Sequence, residues 1–136
     1  MKRIFTIFGL CLLLGCAATP EFVRDIKSRG ISDQTTKKIV IIGSEGGFGE
    51  VSLEIPDQYA IEEIWDTIYQ SRPTKYWVTS GYRTIEMYGS DDLATPKVRL
   101  LVNETDATYI EGTKKKFRCP GLDEYLLKIL EYEFKK

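Results

Sequence analysis

The chain has 136 residues, with 19 basic side chains against 20 acidic ones and no histidine. The slight acidic balance argues against nucleic-acid binding, which calls for a basic face, and the length suits one domain. Without histidine, Ser-His-Asp hydrolysis, Cys-His catalysis and most zinc sites are excluded; enzymes without histidine exist, notably those that work with paired carboxylates.

The first element is a leader. Met1-Lys2-Arg3 is a short basic stretch, and Ile4 to Leu14 is apolar apart from Thr6 and Gly9. A membrane-spanning helix takes roughly 20 apolar residues. This shorter run fits a secretory signal instead. The boundary Leu13-Leu14-Gly15-Cys16 reads aliphatic, tolerant, small, cysteine. It resembles the lipobox of bacterial lipoproteins, and the resemblance covers the leader alone. It implies that a diacylglycerol joins the Cys16 sulfur through a thioether, that the chain is cut before Cys16, and that the new amino terminus is acylated. The thiol supplies the nucleophile, and several acyl chains hold firmly where a single chain holds only marginally. Two competing readings are a conventional cleavage beside Ala17-Ala18 and modification of Cys11, where bulky Leu10 would occupy the scissile position. Ala17 in place of Asp implies, by analogy with enterobacterial lipoproteins, an outer-membrane protein facing the periplasm. In a Gram-positive cell the same anchor implies the outer face of the cell membrane. Loss of Lys2 and Arg3 with the leader lowers the basic count from 19 to 17 against 20 acids, a net charge of −3.

Residues 1–15 are therefore expected to be removed, 16–38 to form a lipidated tether, and 39–136 to fold as one domain. Within the tether, Phe22, Val23 and Ile26 form a short apolar stripe that Gly30 can close. Ile39-Val40-Ile41-Ile42 is a β-branched run and predicts a buried strand. Val51, Leu53 and Ile55 alternate with polar residues and predict a half-buried one. Between them, Gly43-Ser44-Glu45-Gly46-Gly47-Phe48-Gly49 precedes a strand and carries no Lys-Ser/Thr pair, which favours a hairpin loop over a phosphate loop.

Asp57 is placed to cap a helix whose apolar face is Ile61, Ile64, Trp65, Ile68 and Tyr69, with Pro73 beyond its end. Residues 76–79 and 82–88 are rich in strand formers, and Ser80-Gly81 is a turn or a bulge. A strand over 97–102, a turn at Asn103-Glu104-Thr105-Asp106 and a strand over 107–111 follow. Lys114, Lys115, Lys116 and Arg118 form a basic cluster suited to an acidic partner, to anionic headgroups, or to solvent alone. The last helix runs from about Gly121 to Phe134, with Leu122, Tyr125, Leu126, Ile129 and Leu130 inward. Cys119, left without a partner, reads as a small buried apolar residue.

This order predicts an α+β two-layer sandwich: an antiparallel sheet of five or six strands with two helices on one face. The constant offset between Ile61, Ile64, Trp65, Tyr69 and Leu126, Ile129, Leu130, Phe134 raises a ββα pseudo-repeat. No catalytic residue, metal ligand or cofactor site is assigned. The candidate binding face is Tyr76, Trp77, Tyr82, Arg83 and Tyr88, a concentration of the aromatic and Arg side chains that dominate hot spots. Strand alternation sets Tyr82, Thr84, Glu86 and Tyr88 on one face and Arg83, Ile85 and Met87 on the more buried one. The expected role is a non-enzymatic envelope lipoprotein binding a protein or an envelope polymer, held to the membrane through Cys16. A carboxylate-dependent enzyme or a small-ligand pocket near Trp77 and Tyr82 is the alternative.

Overall fold

The structure, a computed structural model, describes residues 19–44, 50–75 and 82–134. In chain order the elements are α1 (Glu21–Lys27), β1 (Thr36–Ser44), β2 (Glu50–Ile55), α2 (Gln58–Tyr69), β3 (Arg72–Thr74), β4 (Tyr82–Gly89), β5 (Val98–Asn103), β6 (Ala107–Ile110), β7 (Lys116–Arg118) and α3 (Leu122–Phe134). The strands make one antiparallel sheet in the order β2-β1-β4-β5-β6-β7-β3. The α+β class is as expected. Among the described residues the sheet has seven strands rather than five or six, and there are three helices rather than two.

Both extra strands are short. β3 and β7 have three residues each and pair with one another, Pro73 opposite Phe117. Proline removes a ladder donor and is confined to sheet edges and bulges; Pro73 lies on the edge strand. The extra helix falls in the stretch expected to be tether. Phe22, Val23 and Ile26 of α1 are fully buried and belong to the main core, with Ile31 2% exposed just behind them. The Phe22 ring stacks on Phe117 of β7 with centroids 4.6 Å apart. The core therefore includes residues of the stretch 22–31, ahead of the expected domain start at Ile39.

One face of the sheet supplies the core. Ile39 and Ile41 of β1, Ile85 and Met87 of β4, Leu100 and Val102 of β5 and Phe117 of β7 share it with Ile61, Ile64 and Trp65 of α2 and Leu122, Leu126 and Leu130 of α3. Alternation places each strand's odd or even set there as a block. The helix starts follow local chemistry. Asp57 accepts from Ala60 N at 3.3 Å as the α2 cap. The Trp65 indole donates to Thr36 Oγ1 at 3.0 Å, which ties α2 to the start of β1.

α3 is capped from a distance. Asp106, in the β5–β6 turn with φ 68°, accepts from Gly121 N and Asp123 N, both at 2.9 Å, one through each carboxylate oxygen. Its own carbonyl accepts from Cys119 N at 2.9 Å. A short polar side chain is among the few that visit this left-handed region. Asp106→Ala is expected to lower stability by about 1–2 kcal/mol, through the lost cap and the strained backbone. Asp106→Asn should cost about half of that. Urea midpoints at unchanged m-value provide the check.

Candidate functional site

Of the five residues of the expected binding face, the two whose side chains are described, Arg83 and Tyr88, lie on opposite sides of β4. Tyr76 and Trp77 lie outside the described residues, and Tyr82 is described only as the backbone start of β4. Arg83 shares the side of β4 that carries Ile85 and Met87, so it points into the helix layer. There its guanidinium pairs with the Asp123 carboxylate in the first turn of α3, and the two side chains are 14% and 12% exposed. Gly43 on the neighbouring strand leaves the passage open, since a Cβ at that position would stand 3.1 Å from Arg83 Cγ. Burial raises the Asp123 carboxyl above the ordinary carboxylate range, and Arg83 offsets this in part.

Tyr88 occupies the opposite face of the sheet, yet only 8% of it is exposed. Its hydroxyl donates to Glu86 Oε1 at 2.9 Å, and Lys38 Nζ sits 4.4 Å from its ring centroid. Burial, and then the Glu86 carboxylate, push its phenol up to about 12. Lys38 also reaches Glu54 at 3.9 Å, while Arg99 pairs with Glu86 at 3.0 Å and with Glu111 at 3.1 Å. Glu54, Lys38, Glu86, Arg99 and Glu111 thus run across the outer face as alternating charges, with Tyr88 closed in among them. Cross-strand opposite charges of this kind stabilise the sheet and give Tyr88 a structural role there.

An exposed aromatic surface exists elsewhere. β2 is an edge strand, and beside it the first turn of α2 and the outer side of α3 enclose a groove of about 760 Å³. Leu53, Tyr59, Tyr125, Ile129 and Tyr132 form its walls. Tyr59 and Tyr132 are 67% and 68% exposed, the two most exposed large hydrophobic side chains among the described residues. The rim carries Glu54, Asp57 and Glu133 against one cation, Lys128. Burial raises the Tyr125 phenol, with Glu63, Tyr59 and Asp57 adding to the effect. A hydrophobic floor, rigid aromatic walls and an adjacent strand edge suit an extended polypeptide. Sequence periodicity counts Tyr125 and Ile129 as core and leaves Tyr59 and Tyr132 off the apolar stripes. The groove arises only because β2 falls at the sheet edge next to α3.

Cys119 is fully buried and has no disulfide partner among the described residues. Burial pushes its thiol up to about 12 from an ordinary value of 9.0. Between those values the folded chain keeps a proton that the unfolded chain has lost. Stability should therefore fall as pH rises above about 9, by about 1.4 kcal/mol per pH unit. Cys119→Ala should flatten this slope between pH 9 and 10, below the range where Tyr88 adds its own. A thiol reagent should label Cys119 only at the rate of unfolding.

Among the described residues no group of three or more Cys, Asp or Glu side chains is placed to hold a metal ion, and no helix is long and apolar enough to cross a membrane. Compared with protein-family models, with curated proteins and with solved structures, the chain matches none.

Proposed function

We propose that the chain is a lipid-anchored protein of the cell envelope whose domain binds an extended segment of a partner protein at the β2 edge. The observation that carries this reading is the tyrosine-walled groove beside an edge strand. The partner segment pairs with the open side of β2 and sets alternate apolar side chains against Tyr59, Tyr125 and Tyr132, the mode of strand addition. The acidic rim selects basic residues on that segment. Lipidation at Cys16 supplies the address, and confinement to the membrane surface lets a modest affinity suffice. A duplicated ββα origin for the domain rests on the constant offset between the α2 and α3 stripes.

A displayed library of random peptides, selected against the chain, tests the binding role. Enriched peptides should alternate apolar and basic residues and slow amide exchange in β2. Tyr132→Ala should weaken them by about 30-fold, as expected of a hot-spot aromatic. Peptides that bind with β2 exchange unchanged and Tyr132→Ala without effect would overturn it.

A further inference from the structure

The opposite edge of the sheet has the opposite charge. Where α1 docks on β7, Glu21 pairs with Lys115. Arg29, Lys75, Lys114, Lys115 and Lys116 line the two shallow grooves at this junction, with Glu21 and Asp25 as the acids among them. The β3–β7 register then sets Arg72 directly opposite Arg118, both exposed. Like charges placed so weaken strand pairing, and the edge is therefore not arranged for its own stability. The rim of the tyrosine groove, at the far edge of the same sheet, is acidic.

The chain enters the fold at this basic edge. Residues 17–20 separate Cys16 from Glu21, and five Cα–Cα steps span at most roughly 18 Å. A lipid on Cys16 therefore holds the start of α1 close to the bilayer, whereas a tether reaching to residue 38 would have left the domain free to tumble. Exposed charges act over about 8 Å at physiological ionic strength, and a reach capped at roughly 18 Å lets the cations of this edge come within that distance of anionic headgroups.

We infer that the α1–β7–β3 edge rests on the anionic lipid surface that holds Cys16 and turns the tyrosine groove away from the membrane. The inference relies on the lipid-anchor reading above, and it commits to headgroups of a bilayer rather than to a soluble anion. Two linked attachments result: acyl chains fix the position of the domain, and the basic edge fixes its orientation.

The test uses the chain from Ala17 to Lys136, which contains every described core residue and no lipid. It should sediment with vesicles of phosphatidylglycerol mixed into phosphatidylcholine and not with pure phosphatidylcholine. Inorganic phosphate at matched ionic strength should not compete. Lys75→Gln with Lys114→Gln should weaken vesicle binding by about 25-fold, at about fivefold per charge. A fluorophore on Ser28→Cys should be quenched by a lipid-borne quencher, and one on Lys128→Cys, which lines the groove, should not. Equal binding to both kinds of vesicle, an unaffected double variant, or quenching at Lys128 equal to that at Ser28 would overturn the orientation. Radiolabelled palmitate on the full chain reports the anchor separately, with Cys16→Ser as control. Label without vesicle binding refutes the orientation alone, and vesicle binding without label refutes the anchor alone.

Discussion

A chain carrying Phe22→Ala is expected to lose about 3–5 kcal/mol of stability, the range for removing a buried aromatic ring from a packed core. Phe22 is fully buried and stacked on Phe117. The substitution removes both the apolar area and the ring contact, and it leaves a cavity between α1 and β7. Against a total stability of about 5–15 kcal/mol, this brings the domain close to unfolding. A residue in a solvated tether would change stability by no more than about 0.5 kcal/mol. Urea denaturation of the two chains separates these outcomes. A loss under about 1 kcal/mol would mean that α1 is not part of the cooperative unit. The result also bears on the membrane geometry, because a detached α1 would lengthen the reach from Cys16 from four intervening residues to about twenty.

α1 shows where local pattern stops being informative. Its apolar stripe is visible in Phe22, Val23 and Ile26, and Gly30, with φ 88°, closes the turn behind it. A seven-residue helix has no stability of its own, so what holds it lies in the core it joins, including Phe117, about a hundred residues later. β3 is harder still. Arg72-Pro73-Thr74 has three residues, carries a proline and follows a helix, and nothing in that string announces a strand. Its pairing with β7 exists because the chain returns there after β6. The elements with strong period were readable. Asp57 and the stripe from Ile61 to Ile68 define α2, and the branched run at Ile39 defines β1. For β4 the alternation correctly sent Arg83, Ile85 and Met87 inward and Tyr88 outward.

Facing outward did not make Tyr88 exposed. Lys38, Glu86 and the neighbouring charges close over it, and which strands flank β4 is a property of sheet order. The same order creates both surfaces to which function is assigned. Placing β2 at one edge exposes a groove between Leu53 and Tyr132. Placing β7 and β3 at the other gathers Lys75, Lys114 and Lys116 beside the start of α1. In sequence these groups lie tens of residues apart. Sheet order depends on long-range pairing, which single-chain periodicity does not encode.

The other large effect concerns the Arg83–Asp123 pair. Asp123→Ala is expected to cost about 3 kcal/mol, the lower end of the range for breaking a buried ion pair, since both side chains keep some contact with water. Arg83→Ala should cost a similar amount by stranding the carboxylate next to Asp106 and Glu104, both of which already raise its pKa. Replacing the two together with Met and Leu should restore most of the loss, because an apolar pair of similar volume carries no desolvation penalty. The double-mutant cycle then measures the coupling directly. The pH dependence has a definite sign. The folded Asp123 carboxyl holds its proton more tightly than the unfolded one, so its contribution to stability is smallest at neutral pH and grows as pH falls through the carboxylate range. Asp123→Asn should remove that component and leave the profile of the remaining carboxylates. A wild-type chain whose acid limb is steeper than that of Asp123→Asn would show that attraction to Arg83, and not burial, dominates at this site.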